Sequence, residues 1–330
     1  MRCLILGGTG FLGVNLTNLL INLGNEVTVF SSGANKDFLD YGLKAKFVCG
    51  DFKDRNLIDT LSRNGFDYIF HLISTTKPSN LDPYSEFTDN VLPTINLLES
   101  VKKSSELKKI IFISSGGTVY GIPEKLPITE EHDCNPISLY GIQKLTIENL
   151  FFYYHHQYGL NYQSIRLSNP YGPGQPAYSN QGVIANFLRK AILDEPIEIW
   201  GTGNVIRDFI YISDVLEACK ACMNYSGNQT VFNIGSSQGA SLIQIIGYIG
   251  NILNKKVEIV FKEGRKQDVP ANVLDISLAR RELNWRPEIE RHWSPYRIHH
   301  RESLEFPGLR ALWRTRPEPC PQTPPAGVYA

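Results

Sequence analysis

Tyr140 and Lys144 stand four residues apart in the stretch Tyr140-Gly141-Ile142-Gln143-Lys144, so on a helix a phenol and an ammonium share one face. A free phenol has a pKa of ~10 and is a poor base at neutral pH. An ammonium one turn away favours the phenolate, and a positively charged cofactor ring beside it does so further, bringing a tyrosine into range for acid–base work. Far upstream, Gly7-Gly8-Thr9-Gly10-Phe11-Leu12-Gly13 makes a G-x-x-G-x-x-G turn directly after the apolar run Cys3-Leu4-Ile5-Leu6. Strand, glycine turn and helix in that order lay a dinucleotide pyrophosphate on a helix N-terminus. Gly7 allows the tight turn, Gly10 the close approach of backbone to pyrophosphate, and Gly13 the packing of helix on strand. Each signal alone is common. Together they indicate an NAD(P)-dependent enzyme with a tyrosine as its acid–base group.

Those residues need a scaffold, and the apolar pattern supplies one. Strand candidates are Cys3–Leu6, Val27–Phe30, Lys46–Val48, Tyr68–Leu72 and Ile110–Ser114, separated by helical patterns. Such alternation predicts a Rossmann-type α/β fold, a doubly wound parallel sheet with crossover helices. Leu12 to Leu23 is helical and stops at Gly24; Asp54 to Asn64 is a second helix. Val91, Ile95, Leu98 and Val101 make an apolar stripe on a third, with Pro93 at its start or at a kink. Tyr140 to Tyr158 is a long helix whose aromatics Phe151, Phe152, Tyr154 and Tyr158 suit a core or a subunit face. After Leu167 the turn-rich Asn169-Pro170-Tyr171-Gly172-Pro173-Gly174 opens a smaller lobe, with a helix over Val183 to Ile192, a strand over Ile197 to Trp200 and the loop Gly201-Thr202-Gly203. The expected division is residues 1–168 for the dinucleotide, with 204–235 returning to that part, and 169–203 plus 236–289 as a C-terminal substrate-binding lobe. The second strand ends in Phe30, Ser31 and Ser32 where a carboxylate would select NAD, and Lys36 nearby tolerates a 2′-phosphate, so NADP is not excluded.

Formal net charge is zero, so no global field favours nucleic acid or an anionic membrane. No apolar run reaches the ~20 residues of a membrane span, and glycines break the N-terminal run too early for a signal peptide. Six scattered cysteines fit a reducing, cytoplasmic setting. Cys219 and Cys222 make a C-x-x-C inside a helical run without a second pair, so no metal is expected there. His71 ends a strand and is read as a packing residue, and Asp214 as the N-cap of the helix Val215 to Met223. From about Glu290 the texture changes: residues 290–330 contain no lysine and are crowded with Arg, Pro, His and Trp. That tail reads either as a disordered extension or as the product of a shifted or foreign reading frame.

The chain resembles the extended short-chain dehydrogenase/reductases, and within them the NAD-dependent nucleotide-sugar epimerases related to UDP-glucose 4-epimerase. The matching stretches run from Met1 to about Pro287: the glycine turn, Gly50-Asp51-Phe52, His71-Leu72-Ile73-Ser74, Asp89-Asn90-Val91, Ser114 to Gly121, Tyr140 to Lys144, Ser168 to Gly172, Arg207 to Tyr211 and Arg265 to Asp268. The resemblance implies that Thr9, Phe11, Leu12, Ser31 and Leu72 join the glycines around the cofactor, and that Asp51 and Phe52 lie at its adenine. It implies that Lys144 also holds the nicotinamide ribose, and that Asn169, Arg207 and Arg265 meet the substrate diphosphate. Guanidinium forks suit phosphate oxygens. Two departures matter. The family usually has Ser or Thr where this chain has Gly116, so either Thr118 or Ser115 supplies the hydroxyl that orients the sugar, or the site works without one. Where relatives restricted to glucose carry a large Tyr beside the sugar, this chain has Asn272, which leaves room for an N-acetyl group.

The reading is a UDP-hexose or UDP-N-acetylhexosamine 4-epimerase working through a transient 4-keto sugar with tightly bound NAD. A 4,6-dehydratase would need an Asp-Glu pair where Gly117-Thr118 stand. A nucleotide-sugar reductase, a UDP-glucuronate decarboxylase and a cofactor-binding protein disabled by its tail are the rivals. The resemblance further implies a homodimer through helices near Glu86–Lys103 and Tyr140–Tyr158, and a part in polysaccharide precursor synthesis.

Overall fold

Strands buried on both faces need unbroken apolar sequence. β1 (Arg2–Leu6) has it: Cys3, Leu4, Ile5 and Leu6 are wholly inaccessible to solvent. The computed structural model describes residues 1–33, 44–178, 182–264 and 269–289. β2 (Glu26–Ser31), β3 (Lys46–Cys49), β4 (Tyr68–His71), β5 (Lys109–Ser115) and β6 (Tyr162–Leu167) follow β1. With β10 (Val231–Ile234) they make a seven-stranded sheet in the order β10-β6-β5-β4-β1-β2-β3. All its pairings are parallel. The strand order reverses direction between β1 and β4, and ligands of such sheets sit outside the carboxyl ends at that switch. This is the expected Rossmann-type architecture.

Local chemistry sets the helix ends. α1 (Phe11–Asn22) gives out just before Gly24, whose φ is +77°. α2 (Arg55–Ser62) is capped by Asp54, which accepts from the Asn56 and Leu57 amides. Pro93 is the second residue of a helix that begins at Leu92, so it marks a helix start as expected. The chain is helical from α3 (Pro83–Glu86) through a wide π-turn at Phe87–Val91 into α4 (Leu92–Val101). A proline has no N–H and its ring collides with the carbonyl four residues back, and the wider turn just before Pro93 relieves both. α5 (Leu139–Tyr158) opens on Ser138, whose hydroxyl accepts from the Gly141 amide, and closes on Gly159 with φ +70°.

The smaller lobe has its own sheet. β9 (Ile206–Tyr211) lies at its centre, flanked by β7 (Asn169–Tyr171), β11 (Gly239–Ser241) and β13 (Ala271–Asn272). Phe187 and Ala191 of α6 (Val183–Ile192), Ile197 and Ile199 of β8 (Ile197–Trp200), and Ile245, Ile246 and Ile249 of α8 (Leu242–Leu253) make a separate core there. β8 pairs in parallel with β12 (Ile259–Lys262). The segment 204–235 is therefore divided: β9 joins the small sheet, while α7 (Ile212–Asn224) and β10 pack with the large one. Cys219 and Cys222 are fully buried in that core, and burial pushes both thiols up, that of Cys222 to about 12. They are helix-packing residues.

Asp214 is not the expected cap. Tyr211 takes the cap position of α7, and the buried Asp214 carboxylate accepts the amides of Glu288 (3.1 Å) and Ile289 (3.3 Å). Its carbonyl accepts the Trp285 indole at 3.0 Å. Asp214 thus pins the segment that follows α9 (Ser277–Leu283). Residues 290–330, which carry the two tail readings, lie outside the described residues. Among the described residues no helix is long and apolar enough to cross a membrane.

Gly13 tests how tightly this scaffold is closed. A Cβ there would stand 2.4 Å from the Gly7 carbonyl oxygen and 2.5 Å from Gly8 Cα, both backbone. Gly13→Ala should cost ~1–3 kcal/mol by overpacking and lower the calorimetric Tm, with less dinucleotide copurifying. An unchanged Tm and nucleotide content would contradict that packing.

Candidate active site

Parallel strands bring their carboxyl ends to one edge. The glycine turn after β1, the loop Leu72–Ser74 after β4, Ser115 at the end of β5 and Ser168–Asn169 after β6 therefore stand side by side. The turn meets the neighbouring loop directly: Gly7 has φ +84°, and a Cβ on it would lie 3.1 Å from the Ile73 amide nitrogen. Gly10 caps α1 with no side-chain hydrogen bond, and a Cβ there would meet the Gly7 carbonyl at 3.4 Å and nothing else within 4 Å. An open backbone surface at the first turn of α1 is what a pyrophosphate needs, so the residues present fit a dinucleotide. Gly13, Phe11 and Leu12 form that first turn. Thr9 Oγ1 and Ser31 Oγ are 2.6 Å apart and join the turn to the end of β2. Asp51 is exposed and accepts the Lys53 amide at 2.9 Å. The Phe52 ring is turned into the core, 5.4 Å from His71 and edge-on to it, which leaves the Phe52 main chain for an adenine. Lys36 is outside the described residues.

Tyr140 and Lys144 open α5 at this edge. The Lys144 ammonium is buried, donates to the Ile113 carbonyl at 2.9 Å, lies 4.8 Å over the Phe112 ring and 5.6 Å from the centre of the Tyr140 ring. Burial lowers Lys144 to about 8, against the pull of the Glu148 and Glu86 carboxylates, so it stays cationic at neutral pH. The phenol departs from expectation. Burial pushes Tyr140 up to about 12; a hydrogen bond with Ser74 eases it and the charge of Glu86 opposes. Burial outweighs the Ser74 hydrogen bond, so the chain alone holds Tyr140 neutral. His71 is a packing residue as expected: burial lowers it to about 3 and Nε2 lies 2.8 Å from Thr94 Oγ1. Thr94 donates its own hydrogen to the Asn90 carbonyl, so His71 carries its proton on Nε2.

Behind the pair lies a buried polar chain. Glu148, one turn beyond Lys144, takes a forked contact from Arg166 (Nη2 to Oε2 at 2.7 Å, Nε to Oε2 at 3.1 Å) and a short hydrogen bond from Ser114. Arg166 Nη1 donates to the Tyr120 hydroxyl at 3.0 Å, which donates to Asn233 Oδ1 at 2.7 Å.

The hydroxyl question has a steric answer. A Cβ on Gly116 would lie 2.6 Å from Leu274 Cδ1 and 3.0 Å from the Arg166 carbonyl, so a side chain there requires Leu274 to move. Thr118 Oγ1 is buried with no hydrogen-bond partner among the described residues. Ser115 ends β5, in register with Leu167. Asn272 is not the open vacancy expected: it is 0% exposed, and Nδ2 donates to the Gly116 carbonyl at 3.0 Å. Pairing of β13 with β9 turns it inward, opposite Arg207. Arg207 Nη1 donates to the Ile206 (2.9 Å) and Val269 (2.6 Å) carbonyls, and Asn169 Nδ2 donates to the Asp208 carbonyl at 2.9 Å. Arg265 lies outside the described residues.

Fold and site define the class. Residues 3–235 match the NAD dependent epimerase/dehydratase family, and the chain belongs to it; NAD is that family's cofactor. The chain is 32% identical over 289 residues to a putative UDP-glucose 4-epimerase of Methanocaldococcus jannaschii, covering 87% of this chain and 93% of that one. It is 33% identical over 296 residues to a dTDP-4-dehydro-6-deoxyglucose reductase of Escherichia coli, covering 87% and 92%. The UDP-glucose 4-epimerase of Thermotoga maritima, solved with UDP-glucose, superposes with a TM-score of 0.85 at 32% identity over 92% of this chain and all of that one.

Ser74, Glu86, Glu148 and Arg166 escaped the sequence reading. Of these, Glu148 carried a signal, lying four residues beyond Lys144 on the same helix stripe. Glu148→Gln leaves the Arg166 guanidinium buried without its counter-charge. The loss expected is ~3–5 kcal/mol in urea unfolding, the scale for breaking a buried ion pair. A change under ~1 kcal/mol, as for an exposed pair, would contradict it.

Proposed function

We propose that the chain is a nucleotide-sugar 4-epimerase acting on a UDP-hexose or UDP-N-acetylhexosamine. The observation that carries this reading is the placement of a buried Lys144 and Tyr140 at the strand edge that also holds the glycine turn and the unpartnered Thr118 hydroxyl. NAD, when bound, supplies a two-electron acceptor for the hydrogen at C4, so the sugar passes through a 4-keto state and back. The glycine turn with Thr9, Ser31, Asp51 and Leu72 holds that cofactor, and Lys144 its nicotinamide ribose. Tyr140 removes and returns the proton of the 4-hydroxyl. Its high pKa in the chain alone means that the bound cofactor's positive ring has to bring the phenol into range. Thr118 orients the sugar hydroxyl, with Ser115 as the other candidate. Asn169, Arg207 and Arg265 take the diphosphate.

Residues 1–168 with 212–235 are assigned to the cofactor, and 169–211 with 236–289 to the substrate. A homodimer through α4 and α5 belongs to the same proposal; Leu92, Phe152 and Tyr153 are exposed apolar residues on those helices. So does a cytoplasmic location, which the unpaired buried thiols of Cys3, Cys219 and Cys222 suit. The Escherichia coli relative supports a second reading, a 4-keto-sugar reductase that releases its oxidised cofactor.

Incubation with UDP-glucose, UDP-N-acetylglucosamine and UDP-glucuronate without added cofactor, followed by proton NMR, separates these readings. A C4 epimer is expected, and Tyr140→Phe should slow it ~10²–10⁴-fold with cofactor retained. Turnover of a 4-keto sugar only with added reduced cofactor would replace the epimerase by the reductase.

A further inference from the structure

Asp208 is a carboxylate with 0% exposure in the middle of β9, and no chemistry of the proposed reaction uses it. It accepts four hydrogen bonds: Oδ1 from the Ser236 amide (2.8 Å) and hydroxyl (2.7 Å), Oδ2 from the amides of Ser237 (3.2 Å) and Leu274 (3.2 Å). Its main-chain carbonyl accepts Asn169 Nδ2 at 2.9 Å. One residue thus holds the loop after β10, the segment after β13 and the side chain that opens β7.

Two features show that the loop is shaped around the carboxylate. Ser237 has φ +61°, a left-handed conformation costly for a residue with a side chain, and its amide is one of those Asp208 accepts. A Cβ on Gly235 would lie 2.4 Å from Asp208 Oδ2, so that close approach needs glycine. Two of these segments adjoin residues read from the sequence as substrate-binding, Asn169 and Asn272, and the third such residue, Arg207, lies on β9 itself. Arg207 is the chain neighbour of Asp208, Asn272 stands opposite Arg207 in the strand register, and Asn169 is bonded to Asp208 itself.

We propose that Asp208 is a positioning residue for the substrate diphosphate and sugar: its buried carboxylate holds the loop after β10 and the segment that follows Asn272, its main-chain carbonyl holds Asn169, and its place beside Arg207 sets the three relative to one another without touching the ligand. This rests on the nucleotide-sugar reading above. The negative charge matters because all four partners are donors. An amide in its place keeps one acceptor and turns an NH2 group against N–H groups, so the loop and the β13 segment separate.

The test uses the purified full chain with UDP as the probe in titration calorimetry, alongside cofactor content, Tm and the kcat and KM of the epimerisation. Asp208→Asn should keep its cofactor while the Kd for UDP and the KM rise about tenfold, with kcat changed much less. A residue needed for folding alone would lower Tm and cofactor content without splitting KM from kcat. Should Asp208→Asn fail to fold, Ser236→Ala removes the hydroxyl's bond to Asp208 while leaving the Ser236 amide bond, and should raise the UDP Kd about threefold. A cofactor-loaded variant with the wild-type Kd and KM overturns the positioning role alone. Wild-type protein that retains cofactor but does not bind UDP overturns the nucleotide-sugar reading, and the positioning role falls with it.

Discussion

A buried carboxylate and a buried guanidinium in the centre of an α/β layer must find each other, and in this chain the rest of the site is arranged around their meeting. Desolvating Glu148 and Arg166 costs several kcal/mol per ion, and attraction offsets it only with good geometry and with the remaining polar atoms bonded. The forked contact, Ser114 on one side and Tyr120 with Asn233 on the other meet those conditions. Because the partners come from α5, β5, β6 and β10, the same bonds set the rotation of α5 against the sheet. Tyr140 and Lys144 lie on that helix, so their placement follows from charge pairing two turns away.

The sheet supplies the other half of the arrangement. Parallel pairing puts β1, β4, β5 and β6 carboxyl ends at one edge, and the missing side chains of Gly7 and Gly13 let the first turn of α1 close against β4's loop and the strand end. Residues far apart in sequence meet there with no long-range signal beyond strand order.

Much of this was legible. The five apolar strands and the helix ends at Gly24 and Asp54 rest on local rules that tertiary structure did not override. The polar interior was not legible, for a physical reason: hydrogen-bond partners of a buried charge lie on other elements. Asp214 looked like a cap because a cap is defined by neighbours in sequence, yet its partners are 74 and 75 residues away. Asn272 looked like vacant space because residue size was counted without register. Tyr140 looked like an activated phenol because its spacing from Lys144 was visible, whereas the burial that pushes the phenol up was not.

The absent hydroxyl at Gly116 joins these strands of argument. The Leu274 side chain occupies the volume that a Cβ on residue 116 would need, and Leu274 belongs to the segment that Asp208 holds by its amide. A serine at 116 requires that side chain to move. In the proposed reaction, the partner for the sugar hydroxyl is a residue with bonding capacity to spare. Thr118 meets that condition, since a buried hydroxyl without a partner is costly in the empty protein and relieved when a ligand group bonds to it.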